Sequence, residues 1–180
     1  MQHIFLKFIG ANDLAGESTS AKGVNQIELL SYSHGVSMPL STGEVSNTSR
    51  LIGRCHHHDI TVTKYVDKTT PTLNLFCSRG DNVKKAVLTV YQASSISTEA
   101  EPIPFMQYVL DDVIISSVSV GGGGGDLPIE TVTLNYATIT WEYTMQMQDS
   151  PGTVEKVGEN KTIWNLQTTK GSKGAGARAP

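Results

Sequence analysis

The sequence predicts an all-β, mainly antiparallel fold, a barrel or sandwich-like protomer flanked by one short α-helix. Three observations predict it. Apolar residues recur at every second position through most of the chain, the mark of half-buried strands. Only one segment carries a helical i, i+3, i+4 stripe, and Gly or Pro separates most of the alternating runs. At 180 residues the chain fits one domain with length enough to bury a core. Residues 1–166 are read as that domain, and 167–180, poor in apolar residues, as a disordered polar tail.

The elements follow in order. Ile4, Leu6 and Phe8 share a face of the first strand, and a polar loop from Asn12 to Gly23 comes next. Val24 to Gly35 returns to strand character, with Leu30 and Tyr32 on one face and Ser31 and Ser33 on the other. Val36 to Arg54, containing Pro39, Gly43 and Gly53, reads as a long loop or hairpin, of the length more often functional than decorative. Ile60 to Val66 is a strand. Thr70 then suits a helix N-cap and Pro71 the first helical position, where its missing N–H costs nothing. Leu73, Phe76 and Cys77 supply the packing stripe, and Gly80 suits a left-handed C-cap.

Strands resume at Lys84 to Tyr91, Pro104 to Leu110 and Asp112 to Val120. In the last of these the apolar set changes parity, from Val113 and Ile115 to Val118 and Val120. The run Glu130 to Tyr143 does the same, from Val132, Leu134 and Tyr136 to Ile139, Trp141 and Tyr143, which predicts a β-bulge near Ala137 or a strand that turns between sheets. Gly121 to Gly125 reads as a flexible loop inside the domain, and a final strand around Lys161 to Leu166 brings Trp164 back to the body.

Composition excludes more than it proposes. A net charge of −3 lacks the basic stripe that nucleic acid needs and argues equally against a polybasic membrane anchor. No apolar run approaches the length of a membrane span. The start, MQHIFLKFIG, reads as a strand and not an export signal, so synthesis in the cytoplasm is expected. Cys55 and Cys77 make no disulfide framework.

The reactive constellations are weak. His56-His57-His58-Asp59 could bind zinc or nickel, but adjacent strand residues point to opposite faces, so His56 and His58 could converge only with His57 turned away. No nucleophile elbow is present, and the glycine run lacks the Lys-Ser or Lys-Thr ending of a phosphate loop. A glycan platform on Trp141 or Trp164 competes with simple packing, which the series Ile139, Trp141, Tyr143 favours. No enzyme activity and no cofactor are expected. The alternative is a small all-β binding module or a metallohydrolase built on His56–His58.

Several motifs in order resemble one family. IELLSYSHG at 27–35 resembles an early strand with a Ser-aromatic-Ser-x-Gly pattern. TKYVDKTTPTL at 63–73 (Thr63, Lys64, Tyr65, Val66, Asp67, Lys68 and onward) resembles a strand-to-helix signature. DVIISSVS at 112–119, then Pro128-Ile129-Glu130, Leu134-Asn135-Tyr136 and the Trp141-Glu142-Tyr143 triplet complete it. The chain thus resembles the haemolysin-coregulated protein (Hcp) family, the tube proteins of bacterial type VI secretion. The resemblance implies a β-barrel protomer that forms homohexameric rings. It also implies stacking of those rings into a hollow tube driven by a contractile sheath from a baseplate, a spike protein at the tip and small effector proteins in the bore. Export without a cleavable signal peptide is implied as well. On that reading Ser31 and Ser33 are expected to line the bore, and the Val36 to Arg54 loop, with Met38 and Leu40, to contact the next ring. The triple histidine, that loop and the Gly/Ala/Lys-rich end depart from many relatives.

Overall fold

The computed structural model describes residues 3–40, 53–92, 103–125, 127–150 and 153–174. The strands are β1 (His3–Ile9), β2 (Ile27–Leu29), β3 (Ser31–Ser33), β4 (Val36–Ser37), β5 (His56–His57) and β6 (Ile60–Tyr65). After the helix α1 (Thr70–Arg79) come β7 (Asn82–Tyr91), β8 (Pro104–Gly121), β9 (Ile129–Ser150), β10 (Thr153–Asn165) and β11 (Lys170–Lys173). Every pairing is antiparallel. Among the described residues the fold is all-β with one α-helix, as the alternation predicts.

The main sheet closes on itself. β1 lies between β2 and β7, β7 meets β8, β8 meets β9, β9 meets β6, and β6 meets β3. Only Leu30 separates β2 from β3, and its N–H donates to the Thr63 carbonyl at 2.8 Å. The chain leaves β1 and joins β6 within one residue, so a single broken strand seals the barrel. That step also corrects the predicted face of Leu30. Leu29 turns inward, whereas Leu30 is 45% exposed, because changing neighbours rotates the pleat.

The core fills the barrel with the inward residues of each strand. These include Ile4, Leu6 and Phe8 from β1, Ile60 and Val62 from β6, Leu88 and Val90 from β7, and Val132, Leu134 and Ile139 from β9. Phe5 points the other way and is nonetheless fully buried, because the loop before β2 folds over it. Gly23 makes that cover fit: a Cβ there would come 2.5 Å from the Phe5 ring.

Both predicted parity changes occur, by different means. Near Ser116 the β8–β9 register shifts between Ile115 and Ser117, a β-bulge that accounts for the change within 112–120. Near Ala137 the register does not shift: Asp111 pairs with Thr138 and Val113 with Tyr136. Instead Asp112 takes a left-handed φ of 53°, and the inward set of β8 moves from Leu110 to Val113 as that of β9 moves from Tyr136 to Ile139. Both strands swing together, so β8 is one continuous strand where the sequence predicts two.

The helix begins one residue earlier than predicted, with Thr69 and not Thr70 at the N-cap. Asp67 Oδ1 organises that turn, accepting from the Thr69 N–H at 2.8 Å and the Thr69 hydroxyl at 2.6 Å. Gly80 closes the helix in the left-handed region, φ 66°, as predicted. Its N–H donates to the Cys77 carbonyl and that of Asp81 to the Phe76 carbonyl, the paired bonds of a Schellman motif.

The tail expectation is corrected in part. Lys170–Lys173 pairs with Thr162–Asn165 as a β-hairpin edge. Few apolar side chains are needed there, since Gly171 lies flat over Trp164, where a Cβ would stand 2.5 Å from the ring. Residues 175–180 lie outside the described residues.

Candidate functional site

Among the hydroxyl–apolar–hydroxyl triplets of the chain, four fall on adjoining strands: Ser31-Tyr32-Ser33, Thr61-Val62-Thr63, Ser117-Val118-Ser119 and Thr131-Val132-Thr133. A strand sends alternate side chains to opposite faces, so each triplet puts its middle residue toward the core and two hydroxyls outward. The fold sets the four side by side. Ser33 pairs with Thr61, Thr61 with Thr133 and Thr133 with Ser117, while Ser31 pairs with Thr63, Thr63 with Thr131 and Thr131 with Ser119. The outer face of β3–β6–β9–β8 therefore carries two continuous hydroxyl rows free of charge. Ser31 and Thr63 share a 2.6 Å hydrogen bond. At one end, Ser116 donates to Asp59 Oδ2 at 2.5 Å, and Asn135 Nδ2 donates to Asp59 Oδ1 at 2.8 Å. At the other end Tyr65 and Ile129 are paired and exposed beside the glycine turn.

Behind this face lies a buried ion pair. Lys64 Nζ is 2.5 Å from Glu130 Oε1 and 2.8 Å from Asp67 Oδ1, and it donates to the Tyr65 carbonyl at 3.0 Å. The Thr70 hydroxyl donates to Glu130 Oε1 at 2.9 Å. Burial alone would raise the Asp67 pKa, but hydrogen bonds from Lys64 and Thr69 and the Lys64 charge hold it below the usual carboxylate value. The segment 63–70 is thus a bolt joining β6, β9 and the start of α1, not a reactive centre.

The histidines separate as their strand alternation predicts. His56 and His58 are exposed on β5 and just beyond it, while His57 turns inward. Its ring stacks on Trp164 at 5.9 Å between centroids, 14° from parallel, and lies 6.0 Å from Trp141 and 6.5 Å from His34. His34 in turn contacts Tyr108, Tyr136 and Trp141. The Tyr136 hydroxyl lies 3.2 Å from the His58 carbonyl, to which it can donate, and shares a 2.8 Å hydrogen bond with His34 Nε2 whose direction follows the histidine tautomer. Burial, with the neighbouring histidines adding to it, lowers the pKa of both His34 and His57. Among the described residues no group of three His, Cys, Asp or Glu side chains is placed to hold a metal ion.

The comparisons with known proteins bear on this architecture directly. Residues 5–143 match the family described as "Type VI secretion system effector, Hcp". The chain is 33% identical over 161 residues to Protein hcp1 of Pseudomonas aeruginosa, covering 89% of this chain and 94% of that one. The chain belongs to the Hcp family. The Hcp barrel is equally plain in three dimensions. A solved structure described as a type six secretion system protein superposes with a TM-score of 0.80 at 25% identity, over 96% of this chain and 100% of that one. Hcp1 from Salmonella typhimurium gives a TM-score of 0.69 at 23% identity, over 95% and 99%, a likeness of fold.

Within this Hcp fold the signature residues take distinct places. Thr63 joins the hydroxyl face, Lys64 is buried, Tyr65 and Val66 are exposed, Asp67 starts the helix and Lys68 faces solvent. Trp141 is half-buried in the aromatic cluster, and Tyr143 packs edge-on against Phe105 at 5.2 Å. Ser31 and Ser33 are exposed, as are Met38 (44%) and Leu40 (49%). Thr63 is named with the signature and Trp164 as a residue returned to the body. The other five hydroxyl residues, the pairing of Glu130 with Lys64 and the contact of His34 and Trp164 with His57 are missed by reading the sequence one segment at a time. The repeated triplets are the signal that finds the hydroxyl face.

Proposed function

We propose that this Hcp protein is the structural subunit of a type VI secretion tube: homohexameric rings, stacked head to tail, with the hydroxyl face of β3–β6–β9–β8 turned to the bore. The observation that carries the reading is the face itself. A sheet surface of eight hydroxyls, four across in two rows, with Ser31 and Ser33 at its edge, is hydrated without being sticky or charged. It suits a wall past which small effector proteins slide or against which they shelter. The remaining partners follow from tube assembly: a spike protein at the tip, and the contractile sheath and baseplate that drive the tube. On this reading the subunit is made in the bacterial cytoplasm and is exported folded.

The hairpin β4–β5 forms a sheet separate from the barrel and carries exposed Val36, Met38 and Leu40. It is the proposed contact between rings. Ring closure and axial contact then use different patches, so stacking propagates without limiting itself. Residues 41–52 of this loop lie outside the described residues.

Native mass and negative-stain imaging of the purified protein test the reading. An annulus with an open centre supports it, and a monomer at high concentration overturns it. Replacing both Ser33 and Ser119 with Lys should leave the annulus intact, because a face lining a hole touches no neighbour. Dissociation would assign that face to a subunit contact instead. Deleting the arm should spare rings and shorten filaments.

A further inference from the structure

The β4–β5 arm has no strand-to-strand hydrogen bond to the barrel. Its two-stranded sheet stands apart, and side chains hold it in place. The main fastening is His57, stacked on Trp164 of β10 and set against Trp141 and Tyr136 of β9. His34, just after β3, reinforces it, with its ring beside Tyr108 of β8 and its Nε2 on the Tyr136 hydroxyl. Tyr136 also donates to the His58 carbonyl, tying β9 to the base of the arm. His57 Nδ1 is buried with no hydrogen-bond partner.

We propose that His57 and His34 form a proton-sensitive latch that positions the arm against the barrel when neutral and releases it when both are protonated.

The groups that face the two rings decide whether both can carry a proton. Their centroids are 6.5 Å apart. His58 stands beside them on the arm, with its Nε2 3.4 Å from the Ser37 hydroxyl, and Arg54 lines the same hollow as His57, together with Met38, Cys55, Trp164, Leu166 and Thr169. From β8 and β9 come the hydroxyls of Tyr108 and Tyr136, both held neutral by burial. The nearby carboxylate, Asp59, is engaged by Ser116 and Asn135. A first proton can be accommodated, since Trp faces attract a cation. A second would put like charges side by side, with the His58 ring beside them. Asp59 keeps its charge, but it is turned to Ser116 and Asn135, and the charges that act on the two rings are those of the histidines. The sign is fixed by linkage. Both folded-state values lie below the unfolded histidine value of about 6.5, so the latch is at full strength above that pH and loses strength as pH falls through the lowered values. Besides burial, the His57 charge lowers the His34 value, and the His58 charge lowers both.

Hydrogen exchange of the Val36, Ser37, His56 and His57 amides in the assembled protein, corrected for the intrinsic rate at each pH, tests the latch. From about pH 7.5 to about pH 5, protection of these amides should fall by about tenfold or more while the barrel amides hold theirs. The His57→Phe variant keeps an aromatic ring on Trp164 but cannot take a proton, and should lose the pH dependence; the exposed His56→Phe should keep it. Unchanged protection in the native protein overturns the latch, and so does an equal fall in His57→Phe. Should that variant fold poorly, proton NMR titration of the native histidines decides: two values below about 6.5 support the latch, and values at or above it overturn it. Its consequence for assembly rests on the ring-contact role proposed for the arm. Filament length, measured by sedimentation on the same samples, should fall in acid for the native protein and not for His57→Phe. If arm exchange follows pH and filament length does not, the latch stands and the ring-contact role of the arm fails.

Discussion

Lys64 and Glu130 sit directly opposite one another on β6 and β9, Nζ to Oε1 2.5 Å, and neither reaches solvent. A lysine in the middle of a strand normally sends its amine to water. Here the strand's inward parity forces it under the barrel wall, where Glu130, Asp67 and the Tyr65 carbonyl replace water around it. Removing one partner leaves the other charge buried and uncompensated. Lys64→Met should therefore cost about 3–5 kcal/mol. The double variant Lys64→Met/Glu130→Leu should recover most of that loss, because a pair of apolar residues needs no solvation. Chemical denaturation at fixed protein concentration measures both.

Asp67 predicts an acid limb to stability. Its folded-state pKa is held below the unfolded value, so its contribution is complete above the ordinary carboxylate range and is lost as pH falls through the lowered value. Thermal melts should drop below about pH 4 on this account. Asp67→Asn should flatten that limb and lower the melting temperature at neutral pH. The limb lies well below the histidine range, so the two effects are separable in one titration.

Gly16 and Gly23 make the loop before β2 fit. A Cβ on Gly16 would stand 2.1 Å from the Gln26 carbonyl oxygen, part of the backbone, and one on Gly23 2.5 Å from the Phe5 ring. Each Gly→Ala change should destabilise by about 1–3 kcal/mol, Gly16 more than Gly23, since a ring shifts more readily than a backbone. Gly123→Ala, which meets nothing within 4 Å, is the control and should be close to neutral. Melting temperatures rank the three.

Trp164 covers one face of His57 and lies under Gly171. Trp164→Ala should free the arm at neutral pH, raising exchange at Val36 and Ser37 to its acid level, with the amides of β1 and β7 unchanged. Exchange mass spectrometry reads this directly.

Much of the fold is legible because its signals are local. Alternation of period two places β1, β3, β6, β7, β8 and the first part of β9, and the Thr-Pro start and Gly80 stop bracket the helix to within a residue. Short β4 and β5, polar β11 and most of β10 carry no such signal. What resists reading is non-local. Leu30 looks like an inward strand residue until one knows that its neighbours pair with different strands. The parity change at Ala137 looks like a bulge, yet Asp112 on the facing strand compensates it. Lys64 and Glu130 are 66 residues apart in numbering and read separately as ordinary surface charges. The bore candidates Ser31 and Ser33 represent one of four equivalent triplets, and only the register reveals that the four are coplanar.

The broken strand that seals the barrel has a consequence for biosynthesis. β1 needs β7, and β3 needs β6, which needs the first half of β9. The cylinder therefore cannot shut until residue 134 has left the ribosome. A truncated nascent chain has no finished wall, so on the proposed tube reading subunits would enter assembly only when nearly complete. Such long-range closure is slow compared with local helical structure, so the barrel wall is among the last features of the fold to form.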